Sequence, residues 1–161
     1  MAQQPYAQLI DIKRWADHGL YDVVGRNLDR LSPEDASLML LVLDHIHTVD
    51  LIFQHHLLGR PHGFKAARSE ALPTFEALAE GMRKVDDWYA DYVAALGPPE
   101  LEEPVDFAFT SGKPARMRRG EILLHVCMHG TYHRGNAGAL LQLRGFAPSR
   151  DSVTDFLEYA A

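Results

Sequence analysis

Apolar residues recur at helical spacing along most of this chain. From about Pro5 to Arg30, Tyr6, Leu9, Ile12, Trp15, Leu20, Val23, Val24 and Leu28 form a stripe with a period near 3.6 residues, which predicts a first amphipathic helix. A second helix opens on "SPED", where Ser32 can cap, Pro33 suits the first helical position and Asp35 completes a capping-box-like spacing. Its apolar face reads Leu38, Leu41, Val42, Val49 and Ile52, and it ends near Gly59 and Pro61. A third runs from about Pro73 to Leu96 on Phe75, Leu78, Met82, Val85, Tyr89, Tyr92 and Leu96, and "GPP" stops it. Then the period changes. "VDFAFTSGKPARMR" alternates Val105, Phe107 and Phe109 before a Ser-Gly-Lys-Pro turn, which predicts a short extended or hairpin-like segment. A fourth long helix follows from about Arg118 to Arg144, closed by Gly145 and Pro148, and a short last helix starts at Ser152.

Four long amphipathic helices, with one longer connection between the third and the fourth, predict an all-α four-helix bundle forming a single domain over residues 1–161. No internal repeat or low-complexity tract divides the chain. Bundles build ligand sites on the inward faces of facing helices, so the polar residues that point inward are the candidates.

Composition narrows the partners. The formal net charge is -6, which disfavours general binding to nucleic-acid phosphates. The one basic run, Lys113, Arg116, Arg118 and Arg119, reads as a solvated face or the start of a helix. Cys127 is the only cysteine, which excludes an intramolecular disulfide and fits a reducing compartment. The N-terminal "MAQQPYAQLIDIKR" has no apolar stretch of signal-peptide length, and no segment approaches the roughly 20 apolar residues of a membrane span. The expectation is a cytoplasmic protein with neither nucleic-acid nor membrane partners.

Histidine is the unusual component, at 9 residues. In "EILLHVCMHGTYHRGNAGALLQL", His125, His129 and His133 recur every fourth residue of the fourth helix. Chance would supply only about 0.03 runs of this kind at this composition. Each step rises about 6 Å, so His125 and His133 lie about 12 Å apart and cannot share an ion with metal–nitrogen bonds of about 2.1 Å. One ion can take 125 with 129, or 129 with 133. The second pair is preferred, because Gly130, Gly135 and Gly138 cluster around it and small residues let a ligand or a helix approach. His45, on the apolar stripe of the second helix, is the best third donor, since imidazoles packed in a core need something to satisfy them. Three histidines with an open position suit a catalytic metal. His47 should point away from this site. His55, His56 and His62 read as surface or rim, with surface favoured, and Cys127 as a buried structural thiol.

In this order, four segments resemble the DinB/YfiT family of metal-dependent enzymes. "RWADHGLYDVV" is similar to its first-helix Trp-Ala-Asn segment, and "LDHIHTVDLIF" to its second-helix block with one histidine and an acidic residue five positions later, here His45 and Asp50. "HGTYHRGNAGALLQLRG" resembles the fourth-helix His-x-x-x-His-Arg-Gly-Gln block, and "APSRDSVTDFL" the family's C-terminal tail. The resemblance implies an up-down-down-up bundle, often a homodimer, holding a divalent metal on His45, His129 and His133. Asp17 stands where the family commonly has Asn, and Asn136 where Gln is usual.

Some family members are thiol S-transferases or isomerases. The leading expectation is therefore a metal-dependent transferase joining a low-molecular-weight thiol to a small-molecule electrophile, in detoxification or stress response. Zinc, nickel and iron all suit imidazole ligands. Arg134 could hold a carboxylate or fix a neighbouring helix, and Asp50 could orient a ligand imidazole. His125, Asn136 and Asp17 are candidates for supporting roles around the metal. A metal-dependent hydrolase, or a bundle that binds metal or ligand without catalysis, are the alternatives.

Overall fold

All four predicted long helices form in a computed structural model, which describes residues 3–160. They are α1 (Gln3–Asn27), α2 (Pro33–Leu57), α3 (Phe75–Ala95) and α5 (Arg119–Leu143). A 3-10 turn (Leu28–Arg30), a four-residue helix α4 (Pro98–Leu101), strands β1 (Pro104–Ala108) and β2 (Pro114–Arg118), and a terminal helix α6 (Val153–Tyr159) complete the order. Met1, Ala2 and Ala161, part of the expected single domain, lie outside the described residues.

Local chemistry sets the helix ends. Ser32 accepts from the Asp35 N–H at the start of α2, Thr74 from the Ala77 N–H at the start of α3, and Ser152 from the Asp155 N–H at the start of α6. At the start of α5, Glu121 accepts from the Arg118 N–H. Gly145 ends α5 with φ 79°, a conformation that L side chains rarely adopt. The alternating segment becomes an antiparallel hairpin with Val105 opposite Met117 and Phe107 opposite Ala115, turning through Gly112 at φ 82°.

In the bundle, α1 and α2 are each flanked by α3 and α5. Paired residues give the directions. Tyr6 lies against Gly120, and Asp17 bonds Arg134, so α1 and α5 run parallel. Gly25 packs on Phe75 and Lys13 bonds Asp86, so α1 and α3 are antiparallel. His47 touches Gly81 and Tyr89 bonds the Asp50 carbonyl, so α2 and α3 are parallel. That is up-down-down-up. Parallel neighbours cannot be joined by a tight turn, which is why residues 58–74 form a second long connection that the apolar pattern did not predict.

Two stripes differ from expectation. On α1 the buried residues are Ile10, Lys13, Ala16, Asp17, Leu20, Tyr21 and Val24, while Ile12 and Trp15 are only half-buried. On α2 the core takes Met39, Leu43, Ile46 and Phe53, and leaves Leu38 and Leu41 exposed. Charge explains the rotation. Lys13, 1% exposed, places its Nζ 2.7 Å from Asp17 Oδ2, 2.8 Å from Asp50 Oδ2 and 2.7 Å from Asp86 Oδ1. Arg134 bonds Asp17 at 3.0 Å and clasps Asp151 through two nitrogens, at 2.7 and 3.0 Å. Each long helix thus contributes a charge to one buried network.

The expectation that no segment is long and apolar enough to span a membrane needs correction: α2 passes that test on length and composition, with a mean hydropathy of 1.6 in its most apolar window. Its position accounts for this. It packs between α3 and α5 and buries Asp44, which accepts from Ser69, as well as Asp50. The basic run is consumed locally, with Arg116 paired to Asp106, Arg118 to Glu102 and Arg119 to Glu103.

Burial opposes the charge on Lys13, but the three carboxylates outweigh it and hold its pKa well above the ordinary value. Burial pushes the Asp86 carboxyl up to about 7, and Lys13 only partly offsets this. The unfolded chain releases that proton near 3.8, so the folded state binds more protons between those values and Asp86's contribution to stability falls as pH rises through them. Asp86→Asn should therefore gain stability relative to the parent between about pH 4 and about pH 7. Urea midpoints compared across that window check this, and a constant gap would refute it. Lys13→Met, which strands three buried carboxylates, should lose about 3 to 5 kcal/mol in the same measurement.

Candidate metal centre

On α5 the residues facing the core are Ile122, Leu123, Val126, Cys127, Gly130, Arg134, Ala137 and Leu141. Successive residues rotate by about 100°, so His125, His129 and His133 fall beside that face, half-buried and turned toward α2. Antiparallel packing then matches His129 and His133 with His45, and His125 with Phe53, whose rings are 4.6 Å apart.

The Nε2 atom of His45 lies 3.0 Å from that of His129 and 3.1 Å from that of His133. Nitrogens bonded to one tetrahedral ion at about 2.05 Å stand about 3.3 Å apart, so the convergence is close to what a shared cation needs. His45 Nδ1 donates to the Ala67 carbonyl at 2.7 Å, which leaves Nε2 to present a lone pair. One proton cannot satisfy three converging ring nitrogens, whereas a cation can. The donor set therefore fits a divalent metal, and His45, His129 and His133 could hold it. Burial and the neighbouring His133 and His45 rings push His129 down to about 3, and burial and His45 lower His133, so both rings are neutral and available as ligands at neutral pH.

Other expected site residues are placed elsewhere. Asp50 makes no direct hydrogen bond to a ligand ring: its Oδ2 pairs with Lys13, and neither its Oδ1 nor His129 Nδ1 has a hydrogen-bond partner. Asp17 bonds Lys13 and Arg134, and Arg134 fixes α1 and the C-terminal segment to α5. Gly130 explains itself differently from the expectation too. A Cβ there would lie 2.8 Å from the Arg134 guanidinium, so this glycine makes room for the ion network and not for a ligand. Asn136 does reach the site, with its amide 3.4 Å from His133 Nδ1. A neutral ring giving Nε2 to a cation carries its proton on Nδ1, which the amide would meet with its oxygen. His125 touches the His129 ring at a centroid distance of 5.7 Å without joining the convergence.

His47 points away from the site, against Gly81 of α3. His56 is 8% exposed and packs on Phe53 and Phe107, so the surface reading fails for it. Cys127 is buried and its thiol pushed up to about 12 by that burial, as an inert structural thiol should be.

Asp17, Asp50 and Asp86 form the second cluster of possible ligands among the described residues. The Lys13 ammonium already occupies their shared position, so the candidate metal centre is the histidine group.

The sequence model of the DinB family matches residues 27–161. The chain belongs to the DinB family. The matched span contains all three converging histidines and Arg134, and leaves Lys13 and Asp17 before it. Protein DinB of Bacillus subtilis (strain 168) is 30% identical over 111 residues, which cover 66% of this chain and 64% of that relative.

The pattern of the first and third helices held a clue to the residues that sequence reasoning missed. Lys13 and Asp17 are in phase with Ile10 and Leu20, and Asp86 with Met82 and Tyr89, so charges sit at core positions. Ala67 carried no such clue, because it acts through its backbone carbonyl.

His129→Ala and His133→Ala should each remove most bound metal, whereas His125→Ala should leave it largely in place. Metal-to-protein ratios of purified variants check this, and equal losses in all three would refute the assignment.

Proposed function

We propose that this DinB family member is a metal-dependent transferase that joins a small thiol to an electrophile. The observation that carries the reading is the half-exposed convergence of three Nε2 atoms beside a cavity of about 200 Å³. Three protein ligands leave a tetrahedral ion one open position, the arrangement of catalytic and not of closed structural sites.

A divalent cation held by three imidazoles keeps its full charge and would favour the thiolate form of an incoming thiol at neutral pH. The chain's own residues do the rest. Ala67, through its carbonyl, fixes the His45 ring, and α5 carries His129 and His133 one turn apart. Val49, Ile52, Phe53 and Phe109 give the space where the electrophile would lie an apolar lining. Cys127, buried and held protonated, does not compete as a nucleophile.

Hydrolysis is the weaker alternative. It needs a general base near the attacking water; the cavity lining among the described residues includes no carboxylate, and the rings of His56 and His125 that it does include are made weaker bases by burial.

Cobalt-loaded protein titrated with small thiols should develop thiolate-to-metal charge-transfer absorption, and His45→Ala should abolish it. A spectrum unchanged by every thiol would overturn the transferase reading. Consumption of the thiol alongside an activated aryl halide should then follow the same variants.

A further inference from the structure

His56 and His125 have no place in the metal centre, yet both line the cavity beside it. The α2 residues of that cavity are His45, Val49, Ile52, Phe53 and His56, at positions i, i+4, i+7, i+8 and i+11. These form one stripe, so the space is a slot running about three turns along the helix, or about 16 Å. It starts at His45 and His129 and passes between Phe53 and His125. Ala67 from the 58–74 connection and Phe109 with Thr110 from the hairpin turn complete its wall. The lining is largely apolar, and it holds neither lysine, arginine nor a carboxylate among the described residues.

At the far end is His56. Its ring stacks on Phe107 at a centroid distance of 4.3 Å and meets Phe53 edge-on at 5.5 Å, which fixes its orientation. Its Nε2 is buried and has no hydrogen-bond partner. A buried, unpaired ring nitrogen is unfavourable unless a partner meets it, and His56 stands between this slot and a more polar hollow lined by Arg60, His62 and Asp106. An apolar cavity of about 150 Å³ can hold benzene; this one, at about 200 Å³, has room for a ring with a short substituent.

We infer that this slot binds the acceptor substrate, a neutral, elongated single-ring compound with its reactive end at the three histidines and a hydroxyl or carbonyl group bonded to His56. This rests on the transferase reading for what lies at the near end, but the slot stands on its own lining. His56 is a positioning residue. Burial, followed by the neighbouring His62 and His55, lowers its pKa to about 4, so near neutral pH it offers a hydrogen bond and no charge. Beyond the metal end an anionic group finds no cationic side chain in the slot, which favours a neutral body. His125 then forms part of the wall that holds the ring.

Three probes separate the parts: imidazole, phenylimidazole and hydroxyphenyl-imidazole, each titrated into cobalt-loaded protein and followed by visible absorption. Phenylimidazole should bind about tenfold more tightly than imidazole, because its ring enters the slot. The hydroxyl should add about fivefold, a gain lost in His56→Leu and kept in His56→Gln. Equal affinities for all three would overturn the slot and leave the metal centre standing. Should imidazole itself leave the cobalt spectrum unchanged, the open metal position fails, and the slot is decided in metal-free protein. There ethylphenol should shift the ring-nitrogen NMR signals of His56 and His125 and not that of His47. Unmoved His56 and His125 signals would overturn the inference whatever the metal does.

Discussion

The ammonium of Lys13 is enclosed by carboxylates from three helices, and the arrangement of the bundle follows from that enclosure. An isolated buried charge is prohibitive, and three carboxylates brought together without a cation would repel each other. Both problems are solved only when α1, α2 and α3 stand at one level and in one rotation. Arg134 extends the constraint to α5 and, through Asp151, to the chain beyond it. Apolar burial supplies most of the driving force for folding, but it is tolerant of sliding and rotation. The ion network is not, because its contacts must stay within hydrogen-bond distance.

That constraint also positions the three converging histidines. Gly130 and Arg134 face α1 and the network, while His129 and His133, one position earlier in each case, face α2. A rotation of α5 large enough to misplace the histidines would pull Arg134 from Asp17. The charged interior and the histidine site are thus adjacent faces of one helix, held by the same contacts. Outside the four helices, the 58–74 connection brings the Ala67 carbonyl to His45, and the hairpin closes the slot with Phe109. Segments that look peripheral in the topology complete the site.

Long helices with sharp ends were legible in the sequence. Ser32, Pro33 and Asp35 marked the start of α2, and the stripe from Leu78 to Tyr89 marked the buried face of α3, because both signals are local. The hairpin was legible from the alternation of Val105 and Phe107. The buried faces of α1 and α2 were legible only in part, at Leu20, Val24, Val49 and Ile52. Lys13, Asp17 and Asp50 count as polar in any periodic pattern, so the stripe was drawn through Ile12, Trp15, Leu38 and Leu41 instead. A charge becomes a core residue only when its partners come from other helices, and no local window contains them.

The histidines show the same division. Helical rise, a property of the backbone alone, determined from the sequence that His125 and His133 could not share an ion and that any metal pair on α5 must be adjacent. Which neighbour His129 takes, and that His45 completes the group, was decided by the antiparallel packing of α2 on α5. So was the fate of Asp50 and Arg134, which sequence order puts near the histidines and tertiary structure turns into the ion network. Spacing along a helix decides which side chains share a face. Only the packing of one helix against another decides what that face meets.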